Sequence, residues 1–166
     1  MENEHGEMKP CYDTAFLEIV DGDAREVGDL VVTTLTNDYM PLLRYCIGDL
    51  AQRHTLPYGN VYIVHGRARD ALRSRDGTRV TTWQVDQCFA GTGGIAHYEL
   101  RQSQAGDCLL RFVPDGSGPT AAGLGGVAAR LEALLKPEAG IKTEFMPVLV
   151  PSPSGKFRLT LRSSNL

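Results

Sequence analysis

Pro41-Leu42-Leu43-Arg44-Tyr45-Cys46-Ile47-Gly48-Asp49 is the stretch from which the rest of the chain can be read. Pro41 suits the first position of a strand, where a missing N–H is tolerated, and the pattern predicts a strand over 41–45. Upstream, Ala15 to Val20 reads as a short strand, followed by the turn signal Asp21-Gly22-Asp23. Residues 29–36 are rich in Val, Thr and Leu, which fits a pleated, half-buried strand. Residues 61–64 supply a fourth. No helical period intervenes, so residues 1–65 read as a strand-rich, antiparallel lobe.

The pattern changes at Gly66-Arg67-Ala68-Arg69-Asp70. Beyond it, Arg75-Asp76-Gly77 is an Asp-Gly hairpin signal between short strands at 71–74 and 78–80. Thr81 or Thr82 can cap a helix running to about Ala90, and Gly91 to Gly94 ends it. Strands are expected at 95–103 and 108–113. Leu124, Val127, Ala128, Leu131, Leu134 and Leu135 then draw a single apolar helical stripe. Lys136 suits the C-terminal end of that helix, and Pro137 stops it. Strands at 141–150 and 157–161 complete a β-α-β-β-α-β unit, a small α/β sandwich with helices on one face of a sheet. The fold class is therefore α+β: a strand-rich N-terminal lobe over 1–65, a connecting segment 66–70 and a sandwich over 71–166.

Composition narrows the function classes. The chain has 166 residues, 42% hydrophobic and 22% charged, as expected of a globular protein. A formal net charge of −3 gives no basic field for nucleic acid or an anionic membrane. No apolar run approaches the ~20 residues that span a bilayer, and Met-Glu-Asn-Glu-His is unlike a signal peptide, so the cytoplasm is the expected compartment. Cys11, Cys46, Cys88 and Cys108 form no C-x-x-C pair and read as reduced thiols. A zinc site built on His5 and Cys11 is disfavoured because short-range ligand pairs are missing. Gly91-Thr92-Gly93-Gly94 and Gly123-Leu124-Gly125-Gly126 lack the Gly-Lys-Ser/Thr ending of a phosphate loop. No catalytic triad, paired-carboxylate site or metal-hydrolase pattern is visible.

Three signatures in one order carry a family resemblance. Arg44-Tyr45-Cys46-Ile47-Gly48-Asp49, Gly66-Arg67-Ala68-Arg69-Asp70 and Ser154-Gly155-Lys156 together resemble the C-terminal third of the phenylacetate–CoA ligase family of adenylate-forming enzymes. The resemblance implies that Asp49 accepts hydrogen bonds from the ribose hydroxyls of ATP or AMP, a task that suits the two oxygens of a carboxylate. It implies that Arg67 contacts the nucleotide and that Asp70 is the hinge about which a small C-terminal domain turns. It also implies that Lys156 is the catalytic lysine, neutralising charge on the substrate carboxylate and α-phosphate during adenylation. Cys46 departs from the family, which usually has a second arginine there.

The Ser/Thr/Gly-rich phosphate loop of such enzymes is nowhere in the sequence. Residues 1–65 are accordingly expected to be a remnant of the adenylation core, and 71–166 its C-terminal domain. The implied function is the C-terminal portion or split subunit of an AMP-forming aryl- or acyl-CoA ligase. The alternative is a stand-alone, non-catalytic remnant acting as a binding or accessory protein. Expected cofactors are ATP or AMP and the thiol of coenzyme A or a carrier protein, with magnesium only when a complete core is present. Expected partners are a second copy in a homodimer or a separate adenylation-core subunit, with a carrier protein as a further candidate. About 65 residues of mainly strand bury little apolar surface alone, and Leu30, Val32, Leu42 and Tyr45 are expected among the groups needing cover.

Overall fold

A computed structural model describes residues 7–152 and 155–163. His5 and Ser154 lie outside the described residues. The chain divides into two compact units, Met1–Arg69 and Asp70–Leu166.

The first unit is a five-stranded sheet built from β1 (Glu7–Met8), β2 (Ala15–Val20), β3 (Val27–Thr34), β4 (Tyr45–Leu56) and β5 (Gly59–Arg67). Its spatial order is β1-β5-β4-β3-β2, and every neighbouring pair is antiparallel. The β2–β3 turn is organised by Asp23, whose carboxylate accepts the N–H groups of Arg25 at 2.8 Å and Val27 at 3.2 Å. Such local capture of backbone donors is what Asp supplies at turns. Gly28 must be glycine, because a Cβ there would lie 2.3 Å from the Val20 carbonyl oxygen.

The strand expected over 41–45 does not form. Pro41 to Arg44 belongs to the β3–β4 loop, and β4 begins at Tyr45. The reason is local competition by hydroxyls. Thr34 Oγ1 accepts the Leu42 N–H at 2.9 Å and Thr33 Oγ1 accepts the Arg44 N–H at 3.0 Å. Arg44 also has φ +44°, outside the range of a strand. Leu30, expected to need cover, is already buried, and Val32 and Leu42 are half-buried; Tyr45 is exposed.

A 3-10 turn at Ala68–Asp70 spans the boundary, and the second unit continues with a hairpin of β6 (Leu72–Arg73) and β7 (Arg79–Val80). Helix α1 (Thr82–Gln87) starts from a capping box in which Thr81 and Gln84 satisfy each other's backbone N–H. Strands β8 (Ile95–Ser103) and β9 (Cys108–Pro114) pair antiparallel. Helix α2 (Ala121–Leu135) is capped by Thr120 at one end and by Lys136 in the left-handed conformation at the other. β10 (Ile141–Phe145) and β11 (Thr160–Ser163) add in parallel to β9 and β8, giving the order β10-β9-β8-β11.

The α2 stripe reads as its spacing predicts: Val127, Leu131 and Leu135 are fully buried, against Leu100 and Leu110 of the sheet. β10 stops five residues short of the expected end at Val150, because Pro147 has no N–H to extend a ladder. β11 starts at Thr160 instead of Phe157; Leu159 contributes one bond, from the Leu100 N–H to its carbonyl at 2.8 Å.

Candidate functional site

The sequence-predicted residues fall into two groups, one in each unit. In the first, the β4–β5 ladder places Asp49 directly opposite Arg67. Arg67 Nε lies 3.0 Å from Asp49 Oδ1, and its Nη1 donates to the Ile47 carbonyl at 2.9 Å. One guanidinium thus fixes a carboxylate and the backbone before it, a use of the planar fork that lysine could not match. Gly48, between them, has φ +81°. This left-handed turn carries the chain from Ile47 to Asp49 and would be strained with a side chain.

Asp49 is half-buried, and Arg67 Nε meets it at Oδ1. A carboxylate in that state has a second oxygen to offer two hydroxyl donors. Around it, Tyr45 and Cys46 are exposed at the start of β4, and Arg44 is turned to Glu18, with Nε 3.2 Å from Oε2. Cys46 brings no cation, and Arg44 is paired with Glu18.

The second group lies in Asp70–Leu166. Gly155 has φ +76°, and its N–H donates to the Ser152 carbonyl at 2.8 Å. The Lys156 carbonyl accepts the Ser152 N–H at 3.0 Å and its hydroxyl at 2.9 Å. The backbone on both sides of the lysine is therefore held while its side chain stays exposed, with no acidic partner among the described residues. Beside it is a cavity of about 420 Å³ with apolar lining from Leu149, Val150, Phe157 and Leu161 and polar lining from Glu99 and Arg101. Phe157 stacks on His97 with ring centroids 6.0 Å apart. Asp70 is tied within the same unit: its carbonyl accepts the Thr160 hydroxyl at 2.7 Å, and Arg158 Nη1 lies 3.5 Å from its Oδ1.

A further feature was not read from the sequence. Arg73, Arg75, Lys136 and Arg162 line a cleft of about 260 Å³, with Glu138 the one acid on its wall. Arg75 pairs with Glu138 at 2.5 Å and Lys136 with Asp76 at 3.0 Å. Hydrogen bonds from Thr78 and then the Lys136 ammonium hold the Asp76 carboxyl far below its ordinary range. The four cations come from the hairpin, the end of α2 and β11, so no short motif contains them.

The cysteines offer no nucleophile in the core. Burial pushes the Cys108 thiol up to about 11 and raises that of Cys88, which keeps both protonated at neutral pH. No cluster of three or more His, Cys, Asp or Glu side chains suited to a metal occurs among the described residues. None of the helices described is long and apolar enough to cross a membrane.

No family model matches the sequence, and no curated protein matches it. Solved structures do match the fold. One is 2-hydroxyisobutyryl-CoA ligase in the postadenylation state in complex with 2-HIB-AMP, with 22% identity and a TM-score of 0.65 over 90% of this chain and 36% of that one. The anthranilate CoA ligase AuaEII in complex with anthranoyl-AMP has 17% identity and a TM-score of 0.62 over 90% of this chain and 32% of that one. Acetoacetyl-CoA synthetase from Streptomyces lividans has 19% identity and a TM-score of 0.59 over 86% of this chain and 25% of that one. The chain spans between a quarter and about a third of the length of these structures. At such identities the likeness defines the fold: an α+β arrangement found in adenylate-forming acyl- and aryl-CoA ligases.

Proposed function

We propose that this chain is the C-terminal portion, or a separate C-terminal subunit, of an AMP-forming aryl- or acyl-CoA ligase of the phenylacetate–CoA ligase type. Residues 1–65 are then a remnant of the adenylation core, 66–70 the hinge segment and 71–166 the mobile C-terminal domain. The observation that carries this reading is the Asp49–Arg67 pair, set opposite one another on β4 and β5 just before the boundary between the two units.

In this reading Asp49 takes the ribose hydroxyls of ATP, and Arg67, beside it, adds a cation toward the phosphate. Lys156 is the catalytic residue of the first half-reaction. Its ammonium, on a backbone held by Ser152, neutralises charge building on the acid carboxylate and the α-phosphate as pyrophosphate leaves. The cleft of Arg73, Arg75, Lys136 and Arg162 suits the phosphates of coenzyme A or of a carrier protein's pantetheine arm, which would deliver the thiol for the second half-reaction. The phosphate loop and acid pocket come from a separate core, which also holds any magnesium.

The test is acid-dependent ATP–pyrophosphate exchange by the purified chain, alone and co-expressed with a candidate core encoded beside it. The chain alone is expected to show none. The pair should show exchange, and Lys156→Ala should lower its rate by about 10²–10³-fold, the usual cost of removing one charge-stabilising donor. Full exchange by the Lys156→Ala pair would overturn the assignment of the lysine. Robust exchange by the isolated chain would overturn the need for a core. No exchange with any core would leave the non-catalytic accessory role.

A further inference from the structure

β10 is an outer strand of the C-terminal sheet, paired with β9 on one side and, among the described residues, with no strand on the other. Its sequence, Ile141-Lys142-Thr143-Glu144-Phe145, is a mirror about Thr143: apolar residues at the two ends, opposite charges inside them, a threonine between. An open strand edge is a template for pairing with another chain. The Met146 N–H donates to the Phe112 carbonyl at 2.8 Å, which sets the side of the strand that faces β9. By the period of two, Lys142 and Glu144 also aim their backbone groups at β9, and Ile141, Thr143 and Phe145 aim theirs at the open side. There the Ile141 N–H is taken by Glu132 Oε1 at 3.1 Å. No side chain among the described residues caps the N–H of Thr143 or Phe145.

The side chains divide in the same way. Thr143 and Phe145 are registered with Leu110 and Phe112, on the face the helices cover, and Lys142 and Glu144 with Leu109 and Arg111, on the other. Phe145 is 61% exposed, although its ring meets that of Phe112 edge-on. Glu144 Oε2 lies 3.0 Å from Arg111 Nε, and the Glu144 side chain is still 50% exposed. Lys142 is exposed and has no acidic partner among the described residues. The strand therefore presents to solvent a free backbone edge, an uncovered ring, an unpaired cation and a half-open carboxylate.

We propose that β10 pairs antiparallel with β10 of a second copy of this chain, centred on Thr143, in a two-fold symmetric dimer of C-terminal sheets. In this register Thr143 exchanges N–H···O=C bonds with the partner's Thr143, and the Phe145 N–H donates to the partner's Ile141 carbonyl. Ile141 lies beside the partner's Phe145, an aromatic and β-branched pair of the kind that stabilises antiparallel strands. Lys142 stands opposite the partner's Glu144 at a non-hydrogen-bonded position, where side chains are closest. Charge selects this register. Sliding the copies by two residues one way sets Lys142 against the partner's Lys142, and the other way sets Glu144 against the partner's Glu144; like charges directly opposite are destabilising. A slide by one residue brings to the seam the backbone groups that already serve β9 and puts the two faces out of step. The pairing lies wholly within the C-terminal unit, and it is independent of the ligase reading.

Sedimentation equilibrium of the full chain from ~1 μM to ~1 mM tests this, a span that covers weak and moderate self-association. The wild type should pass from monomer to dimer within it. Lys142→Glu should weaken the dimer at least ~10-fold, because the two-fold axis repeats each like-charge pair, and Glu144→Lys should do the same. An equimolar mixture of the two variants should associate again, since each then meets opposite charge at both positions. Thr143→Pro removes an N–H on the side away from β9, a place where an edge strand tolerates proline. It should keep the folded circular-dichroism and Trp83 fluorescence spectra and leave monomer alone across the range.

A wild-type chain that is monomeric throughout would overturn the proposal and make Lys142 a guard of the edge. A dimer indifferent to Lys142→Glu and to a folded Thr143→Pro would overturn it too, because another face would then hold the copies together. So would folded charge variants whose mixture stays apart. If Thr143→Pro does not fold, the mixture of charge variants decides by itself.

Discussion

Leu43 and Leu131 show how differently the two units treat the same side chain: the first is 78% exposed and the second fully buried. In the C-terminal unit, α1 and α2 close one face of the four-stranded sheet over a continuous apolar cluster that includes Leu72, Val85, Leu100, Leu110 and Leu131. Among its described residues the N-terminal unit has no α-helix, and around its sheet Phe16, Leu35, Tyr39, Met40, Leu43 and Tyr45 are exposed. Scattered exposed apolar residues are ordinary on protein surfaces, whereas several large ones on one loop and its neighbouring strand mark a face made to be covered. Four of the six lie between Leu35 and Leu43, in the β3–β4 loop. The C-terminal unit exposes large apolar side chains too, among them Phe145, Val148, Val150 and Phe157, but it has a helix-covered core cluster beside them, and the N-terminal unit has its sheet alone.

The largest effect expected from this contrast is at Leu131. Leu131→Ala should destabilise the C-terminal unit by about 2–5 kcal/mol, the loss of burial plus the cavity left behind. Denaturation followed by the fluorescence of Trp83, the chain's one tryptophan, reads that unit directly. A loss below about 1 kcal/mol would mean that the cluster is loosely packed, and the contrast between the units would collapse.

The same contrast explains how far the sequence could be read. The α2 stripe was legible because Val127, Leu131 and Leu135 keep one spacing and meet one sheet. β2, β8 and β9 were legible because turn residues bracket them. Nearly all of β4 was missed: the strand read over 41–45 shares only Tyr45 with Tyr45–Leu56, because Thr33 and Thr34 capture the backbone donors of Arg44 and Leu42, and hydroxyl competition leaves no trace in an apolar pattern. β10 begins where it was read and is shortened by Pro147, a local signal; β11 was displaced because it is placed by its partner β8, far away in sequence, and local composition does not name a partner.

At the candidate site, the apposition of Asp49 and Arg67 depends on β4–β5 register, and the pattern of a hairpin does not give register when a bulge intervenes between Leu50 and Ala51. The cationic cleft was invisible because its four cations come from three separate elements.

A second way to separate the units is acid. His65, on β5, is buried. Burial, with the Arg25 guanidinium and His54 working in the same direction, lowers its pKa below the ordinary 6.5, against the opposing pull of Asp23. The unfolded chain therefore takes up a proton near pH 6.5 that the folded sheet refuses until lower pH. The stability this group contributes is complete above the unfolded value and is lost as pH falls through the folded one. Acidification from pH 7 to 5 should reduce hydrogen-exchange protection in β3–β5, with the Trp83 transition moving less. His65→Gln should flatten the pH dependence of the sheet. Parallel loss in both units, or an undiminished slope in His65→Gln, would show that another group governs the acid response.

The smallest effect on stability is expected where the contrast is sharpest. Leu43→Ser should change the stability of the isolated chain by no more than about 0.5 kcal/mol, because a side chain left in water loses little when it becomes polar. Its effect belongs to association. If the β3–β4 loop is covered by a second copy or by a separate core, burying Leu43 contributes on the order of 1.5–3 kcal/mol to that contact. The serine variant should then weaken association by at least tenfold in sedimentation across a range of concentrations, with the same folded spectrum. A stability loss above about 1 kcal/mol in the monomer would instead mean that Leu43 is covered within the chain. Unchanged association of a dimer or complex would place the contact elsewhere. A wild-type chain that stays monomeric at high concentration and ignores every co-expressed core would show the exposed loop to be tolerated as it stands, and the N-terminal sheet would have to be counted as self-sufficient alongside the C-terminal one.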